Sequence, residues 1–272
     1  MTALKWHEVG SRIYEAGVDR GVLYTSGNPG VPWNGLASVK ENPSGGGAQP
    51  HYIDGIKHLN LSASEEFEGS LDAFTYPYEF EECDGIKSMG GLMVSQQIRK
   101  PFGLSYRTKL GNEVKDQDYG YKIHIIYNAL ASPTQKSYDT MGDSIEPLTF
   151  SWALTTTPVN GDDQGFLSPL SHLVIDSTRC SEVQLRMIED YLYGTALREP
   201  RLPSIEYIFD LFQNPPDGLL IGDEGDNGLY PLLLSAFPSI DLMGSRSKGI
   251  YVAPTESRLV ESTIPGIYTL EN

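Results

Sequence analysis

Between Pro101 and Pro133 the sequence alternates with a period of two, and this constrains the chain more than any other stretch. Phe102, Leu104, Tyr106 and Thr108 alternate with Gly103, Ser105 and Arg107. A polar turn runs from Gly111-Asn112 to Gln117-Asp118. After it, Tyr121, Ile123, Ile125 and Tyr127 alternate with Lys122, His124 and Asn128. Two β-branched and aromatic runs across a short turn predict an antiparallel ribbon with one apolar and one wet face. Ile126 interrupts the wet face, which marks that face as partly covered. A lone ribbon is marginal in water, so this one has to sit in a larger sheet.

The remaining segments supply that sheet. Gly17–Tyr24 reads as a short strand. Ile56–Ala63 and Glu65–Ala73 continue the β pattern. In the second of these, Phe67, Leu71 and Ala73 oppose an acidic face of Glu66, Glu68, Ser70 and Asp72. In 147–158, Phe150, Trp152 and Leu154 take one face; Ser151, Ala153 and Thr155 take the other. His172–Asp176 is a further strand. Thr75–Asp84 reads as a short helical turn with Pro77 in its first position.

One helix stands out. Ser181 and Gln184 have capping-box spacing, Val183, Met187, Ile188, Tyr191 and Leu192 form a stripe, and Gly194 is placed to end it. A single amphipathic helix among strands predicts a cover for one sheet face. Ser204–Phe212 has the spacing of a second, shorter helix. The texture changes near residue 200, which sets a core of 1–200 against an extension of 201–272.

Gly27–Gly47 is rich in Gly and Pro and brackets one strand-like run, Trp33 to Glu41, so it predicts an extended arm at about 27–48. Trp33 on such an arm either meets a partner or folds back onto its own domain.

Composition agrees with many short strands. The chain has 28 glycines and 18 prolines in 272 residues, and only 39% hydrophobic residues. A net charge of -16 disfavours binding to nucleic acid backbone or anionic membrane. Two cysteines, Cys83 and Cys180, are too few for a disulfide framework, and two thiols are the default reading beside a single bridge. Met1–Gly10 has no apolar signal region, and no apolar run reaches ~18 residues. The expectation is assembly in the cytoplasm with no membrane span.

The chain offers little chemistry. It has no G-x-S-x-G, P-loop or C-x-x-C. His51, Asp54 and His58 are close in sequence, but polar, turn-like residues separate them. The acidic turn Asp223–Gly228 fails as a calcium loop, because Leu234 stands where a bidentate Glu belongs. Paired carboxylates leave a glycosidase open, and nothing singles out a pair. No cofactor, metal or catalytic residue is assigned, so the chain reads as a non-enzyme. A carbohydrate-binding β-module is the other rival.

Several runs, in order, resemble the major tail proteins (tail tube subunits) of long non-contractile-tailed bacteriophages, especially those infecting actinobacteria. They are Tyr14–Tyr24, Trp33-Asn34-Gly35-Leu36, Glu66-Phe67, Thr75-Tyr76-Pro77, Gln97–Thr108, Tyr119–Lys122, Phe150-Ser151-Trp152 and Leu192-Tyr193-Gly194. The resemblance spans most of 6–202 and weakens after 212. It implies a mainly β fold, a tail-tube-type β-sandwich or barrel with one flanking α-helix and a C-terminal extension. It further implies a structural virion protein. Six copies would form a ring, and rings would stack into a tail tube that conducts DNA during ejection. The implied partners are the chain itself, a tape-measure protein, tail terminator and tail-tip proteins, and transiently passing viral DNA. The implied location is the virion tail. On that basis Glu66, Glu68 and Asp72 are expected to face the lumen, and Trp33, Asn34 and Leu36 to make the ring-to-ring contact.

Overall fold

The computed structural model describes residues 4–6, 8–62, 65–138, 140, 147–161 and 168–215, and four short strands between 243 and 271. Contacts divide the chain into two units, Met1–Pro215 and Pro216–Asn272. The first unit holds β1 (Ile13–Thr25), β2 (Val31–Pro32), β3 (Leu36–Glu41), β4 (Ser44–Gly45) and β5 (Ala48–Ile53). Next come β6 (Ile56–Ser62), β7 (Glu65–Glu66), β8 (Glu68–Ala73), β9 (Lys87–Met89) and β10 (Leu92–Val94). The unit closes with β11 (Phe102–Asn112), β12 (Asp116–Pro133), β13 (Phe150–Thr156), β14 (His172–Asp176), α1 (Glu182–Tyr193) and α2 (Ile205–Gln213).

Among the described residues, eight of these strands make one antiparallel sheet in the order β2-β1-β11-β12-β13-β8-β3, with β14 also paired to β12. The ribbon read from sequence is its centre. β12 is long enough to pair β14 through Lys122–Ile126 and β13 through Ala129–Pro133. The sheet curls back on itself. The Trp33 amide donates to the Gly21 carbonyl (2.8 Å), and Leu36 lies over the bare Cα of Gly21, where a Cβ would meet it at 2.7 Å. A side chain at this position would make Leu36 shift, because the two ends of the sheet approach closely.

The ribbon differs from its expectation in one respect. Its two apolar rows do not share a face. The register pairs Leu104 with Ile126, Tyr106 with His124 and Ser105 with Ile125. Phe102, Leu104 and Tyr106 therefore point with Ile126 into the curled sheet, while Ile123, Ile125 and Tyr127 point out of it. A one-residue shift of register moves a whole row to the opposite face, and this register sets both rows to use. Ile126, which spoiled the wet face in the sequence, is a core residue.

Inside the sheet, Leu23, Trp33, Leu71, Phe80, Trp152 and Leu154 complete one core. Trp152 donates its indole N–H to Asp84 (2.9 Å), whose other oxygen faces Lys136 at 3.3 Å, so this buried carboxylate is partnered on both sides. Outside, α1 and α2 cover the sheet, with Ile188, Leu192, Ile205, Ile208 and Leu211 packed on Ile123, Ile125 and Tyr127. α1 starts as its sequence predicts, with the full Ser181–Gln184 capping box, and ends at Gly194 with φ 76°. Gln184 does more than cap: buried, it donates Nε2–H to the Leu211 carbonyl of α2 (3.2 Å). The second helix forms with Ser204 as its N-cap, and the first unit runs on through it to Pro215. The predicted turn at Thr75–Asp84 is a 3-10 turn, Tyr78–Phe80, with Pro77 as its N-cap and not its first helical residue.

Cys83 and Cys180 are free thiols belonging to cores on opposite sides of the sheet, so they cannot bridge. Burial pushes the Cys83 thiol up to about 12. In the second unit, β15 (Met243–Gly244), β16 (Tyr251–Val252), β17 (Arg258–Glu261) and β18 (Tyr268–Glu271) form an antiparallel sheet in that order. The acidic turn at Asp223 lies outside the described residues. Among the described residues, no helix is long and apolar enough to cross a membrane.

Candidate assembly surfaces

The predicted arm is displaced along the sequence. β2 and β3, inside the expected span 27–48, belong to the main sheet, with β3 paired to β8 through Leu36–Glu41. The described residues that leave the sheet are 44–62 and 65–66, built from the pair β4–β7 and the hairpin β5–β6. An Asp54-Gly55 turn closes the hairpin, with φ 49° and 78° at its two central residues. Both angles are positive, as a type I′ turn requires. Every residue of β5 is exposed. Tyr52, Ile53, Ile56, Leu59 and Leu61 all stand in solvent, Ile56 at 72% of its full exposure. The hairpin pairs β5 with β6 alone. The shorter hairpin β9–β10 repeats the pattern, with Met89, Leu92, Met93 and Val94 exposed. Such ribbons present unpaired edges and apolar side chains together, the combination that strand addition by a neighbour would cover.

Trp33 is corrected from surface anchor to core residue. It is 3% exposed, meets Phe80 at a tilt with ring centroids 4.6 Å apart and Trp152 edge-on at 6.1 Å, and donates Nε1–H to the Thr75 carbonyl (2.9 Å). Of the two readings of Trp33, folding back onto its own domain is the one the structure takes. Leu36 is half-buried against the same core. Asn34 remains exposed in the turn between them, its carbonyl accepting from the Thr75 hydroxyl.

Glu66, Glu68 and Asp72 do not form one uniform row. Glu66 belongs to β7 at the base of the projecting segment. Glu68 and Asp72 share a face of β8 with Ser70, since Leu71 and Ala73 are buried on the other. Across that face, β13 sets Ser151 beside Asp72 and Thr155 beside Glu68, and β3 sets Ser38 beside Asp72. The surface is a field of small polar side chains carrying few charges. Asp72 accepts from Lys40 (2.8 Å) and Ser38 (2.7 Å), and the Lys40 hydrogen bond leads in holding its carboxyl down at about 2. Lys40 offsets that charge, so Glu66 and Glu68 supply the net negative field.

His51, Asp54 and His58 lie on or at the turn of the exposed β5–β6 hairpin. They are not among the residues that converge closely enough to share a metal; among the described residues that property belongs to Glu41, His124 and His172. These three sit on β3, β12 and β14, on the face that turns into the curled sheet, at its polar end. His124 Nδ1 lies 3.1 Å from Glu41 Oε1 and 3.3 Å from His172 Nε2, and His172 Nε2 lies 3.8 Å from Glu41 Oε1. Tyr106 donates its hydroxyl to Glu41 Oε1 (2.6 Å) and stacks on His124 at 4.7 Å. Beyond His124, Nε2 faces Thr108 Oγ1 (3.1 Å) and Glu15 Oε1 (3.4 Å), and Glu15 also accepts from Thr108 and Lys122. Sequence reasoning missed this cluster, because its members are separated by dozens of residues. The available signal was His124 on the same alternating row as the apolar Ile126, which marked that row as partly covered.

No protein-family model and no curated protein matches the chain. Solved structures similar to it include the cap of the anti-feeding prophage (the tube-terminating cap), at 13% identity and a TM-score of 0.29, covering 65% of this chain and 96% of that one. Another is a component of the baseplate of the anti-feeding prophage, at 11% identity and a TM-score of 0.32, covering 63% and 97%. A third is a chain of the sheath–tube complex of an extracellular contractile injection system in its extended state, at 14% identity and a TM-score of 0.29, covering 58% and 88%.

Proposed function

We propose that this chain is a structural subunit of a phage tail that polymerises, as hexameric rings stacked on one another, into a long non-contractile tail tube through which DNA is ejected. The observation that carries the reading is the β5–β6 hairpin. Five large apolar side chains stand exposed on a ribbon that, among the described residues, has two strands and no third. An isolated ribbon of this kind is marginal in water, and a neighbouring copy that continues its sheet would both cover the edge and bury the side chains. The ordered sequence runs that resemble major tail proteins support the same reading, as does the curled sheet those runs build.

The finer parts of the proposal follow from the resemblance. Rings form around a tape-measure protein in the host cytoplasm and end against tail terminator and tail-tip proteins. The finished tube belongs to the virion tail of a phage of actinobacteria. Glu66 and Glu68, with Asp72 partly offset, line the lumen and repel passing phosphate. In place of Trp33, the projecting hairpin makes the ring-to-ring contact; Asn34 and Leu36 lie at the opposite end of β3 from its root and are not part of that contact.

Negative-stain microscopy of the concentrated chain tests this. Wild type should give six-fold rings or tubes. A variant in which a short Gly-Ser link replaces residues 46–64 should stay folded by circular dichroism and give neither. Strictly monomeric wild type, or a variant that assembles equally well, would refute it. Neutralising Glu66, Glu68 and Asp72 together should slow DNA ejection and leave tubes intact; an unchanged ejection rate removes the lumen assignment.

A further inference from the structure

We infer that Glu41, His124 and His172 form a binding site for a single divalent transition-metal ion of the zinc class, at the polar end of the curled sheet. A metal held tetrahedrally at about 2.0–2.2 Å from nitrogen and oxygen ligands sets those ligands about 3.3–3.5 Å apart. The three donor atoms here are separated by 3.1, 3.3 and 3.8 Å, so a small inward movement of the Glu41 and His172 side chains completes the triangle. Two imidazoles and one carboxylate suit zinc and its neighbours in the first row, not magnesium or calcium, which favour all-oxygen sites.

The surroundings are those of a metal site. His124 has its distal nitrogen, Nε2, directed at Glu15 and Thr108. With an ion at Nδ1, the proton sits on Nε2, where Glu15 and Thr108 are placed to accept it. In that tautomer, His124 Nδ1, His172 Nε2 and Glu41 Oε1 converge. Three acceptors at this spacing repel unless a cation stands among them or a proton is shared between them. Tyr106 orients Glu41 by donating to the oxygen that would bind. Both imidazoles are shielded from solvent, with side-chain exposures of 8% for His124 and 16% for His172. Glu41, at 36% side-chain exposure, lies on the solvent side of the two histidines and leaves a fourth position for water or a further donor. The ion would tie β3, at one end of the sheet, to β12 and β14 at its middle, holding the curl closed.

The test uses the full chain, stripped with chelator and titrated with Co2+ alone. One Co2+ per chain should bind with the strong visible absorption of a four-coordinate ion, and Zn2+ should displace it. Glu41→Gln and His172→Ala should each weaken binding by ~100-fold or more, and Glu15→Gln by about 10–100-fold, the range for groups that orient a ligand. His51→Ala/His58→Ala should leave it unchanged. Thermal unfolding of wild type in excess Zn2+ should occur at higher temperature than in chelator, a readout that needs no variant to fold. Absence of stoichiometric binding and of the Zn2+ shift overturns the inference. So does binding that survives both Glu41→Gln and His172→Ala, or that is lost with the hairpin histidines.

Discussion

Replacing Trp33 with alanine separates its two readings. In this structure the indole is 3% exposed, packs against Phe80 and Trp152, and satisfies the Thr75 carbonyl from Nε1. Removing a buried aromatic of this size costs about 3–5 kcal/mol from lost transfer energy and the cavity left behind. A domain has roughly 5–15 kcal/mol in total, so the variant should lose about a fifth or more of its stability. Trp33→Phe keeps most of the ring and loses the hydrogen bond, so its cost should be nearer ~1 kcal/mol, plus any cavity left by the smaller ring. Urea denaturation of dilute protein, followed by near-ultraviolet circular dichroism, measures both. A surface anchor would behave in the opposite way, with stability unchanged in the monomer and assembly lost. Wild-type urea midpoints in Trp33→Ala would refute the core assignment and the curl of the sheet that depends on it.

Two smaller perturbations test other parts of the fold. Ser181→Ala removes the hydroxyl that accepts from the Gln184 N–H, leaves the backbone half of the α1 capping box in place, and should cost about 1 kcal/mol in urea denaturation, with the helix content of α2 retained. The Asp72 carboxyl is held at about 2 against an ordinary 3.8, so its contribution is fully present above pH 3.8 and is lost as pH falls towards 2. The pair with Lys40 is partly solvated, which limits the effect to about 1 kcal/mol. Wild type should therefore lose that much more stability than Asp72→Asn between pH 4 and pH 2, and parallel acid curves would count against it.

Some of this molecule was written locally. The capping box of α1 and its glycine stop act within one turn of chain, so Ser181, Gln184 and Gly194 announced the helix without help from tertiary structure. The strands β11 to β14 were likewise legible, because a period of two reports on a strand whatever it pairs with. The direction of each strand's apolar row was not legible. It depends on the cross-strand register, and the pairing of Leu104 with Ile126 placed two rows on opposite faces. The Gly/Pro-rich tract misled for a related reason: turn residues mark where the chain bends, not which side of the bend packs.

Local sequence thus determined the long central strands, the helices and the acidic, apolar-poor composition, because propensity, capping and alternation act over a few residues; the projecting strand Ala48–Ile53, read as turn-like, was not among them. Only the tertiary structure decided that Trp33 is interior, that the described residues of the projecting segment are 44–62 and 65–66, and that Glu41, His124 and His172 meet. Those outcomes depend on which distant strands pair and how far the sheet curls, and such pairings are selected by the burial of the whole core rather than by any one segment of chain.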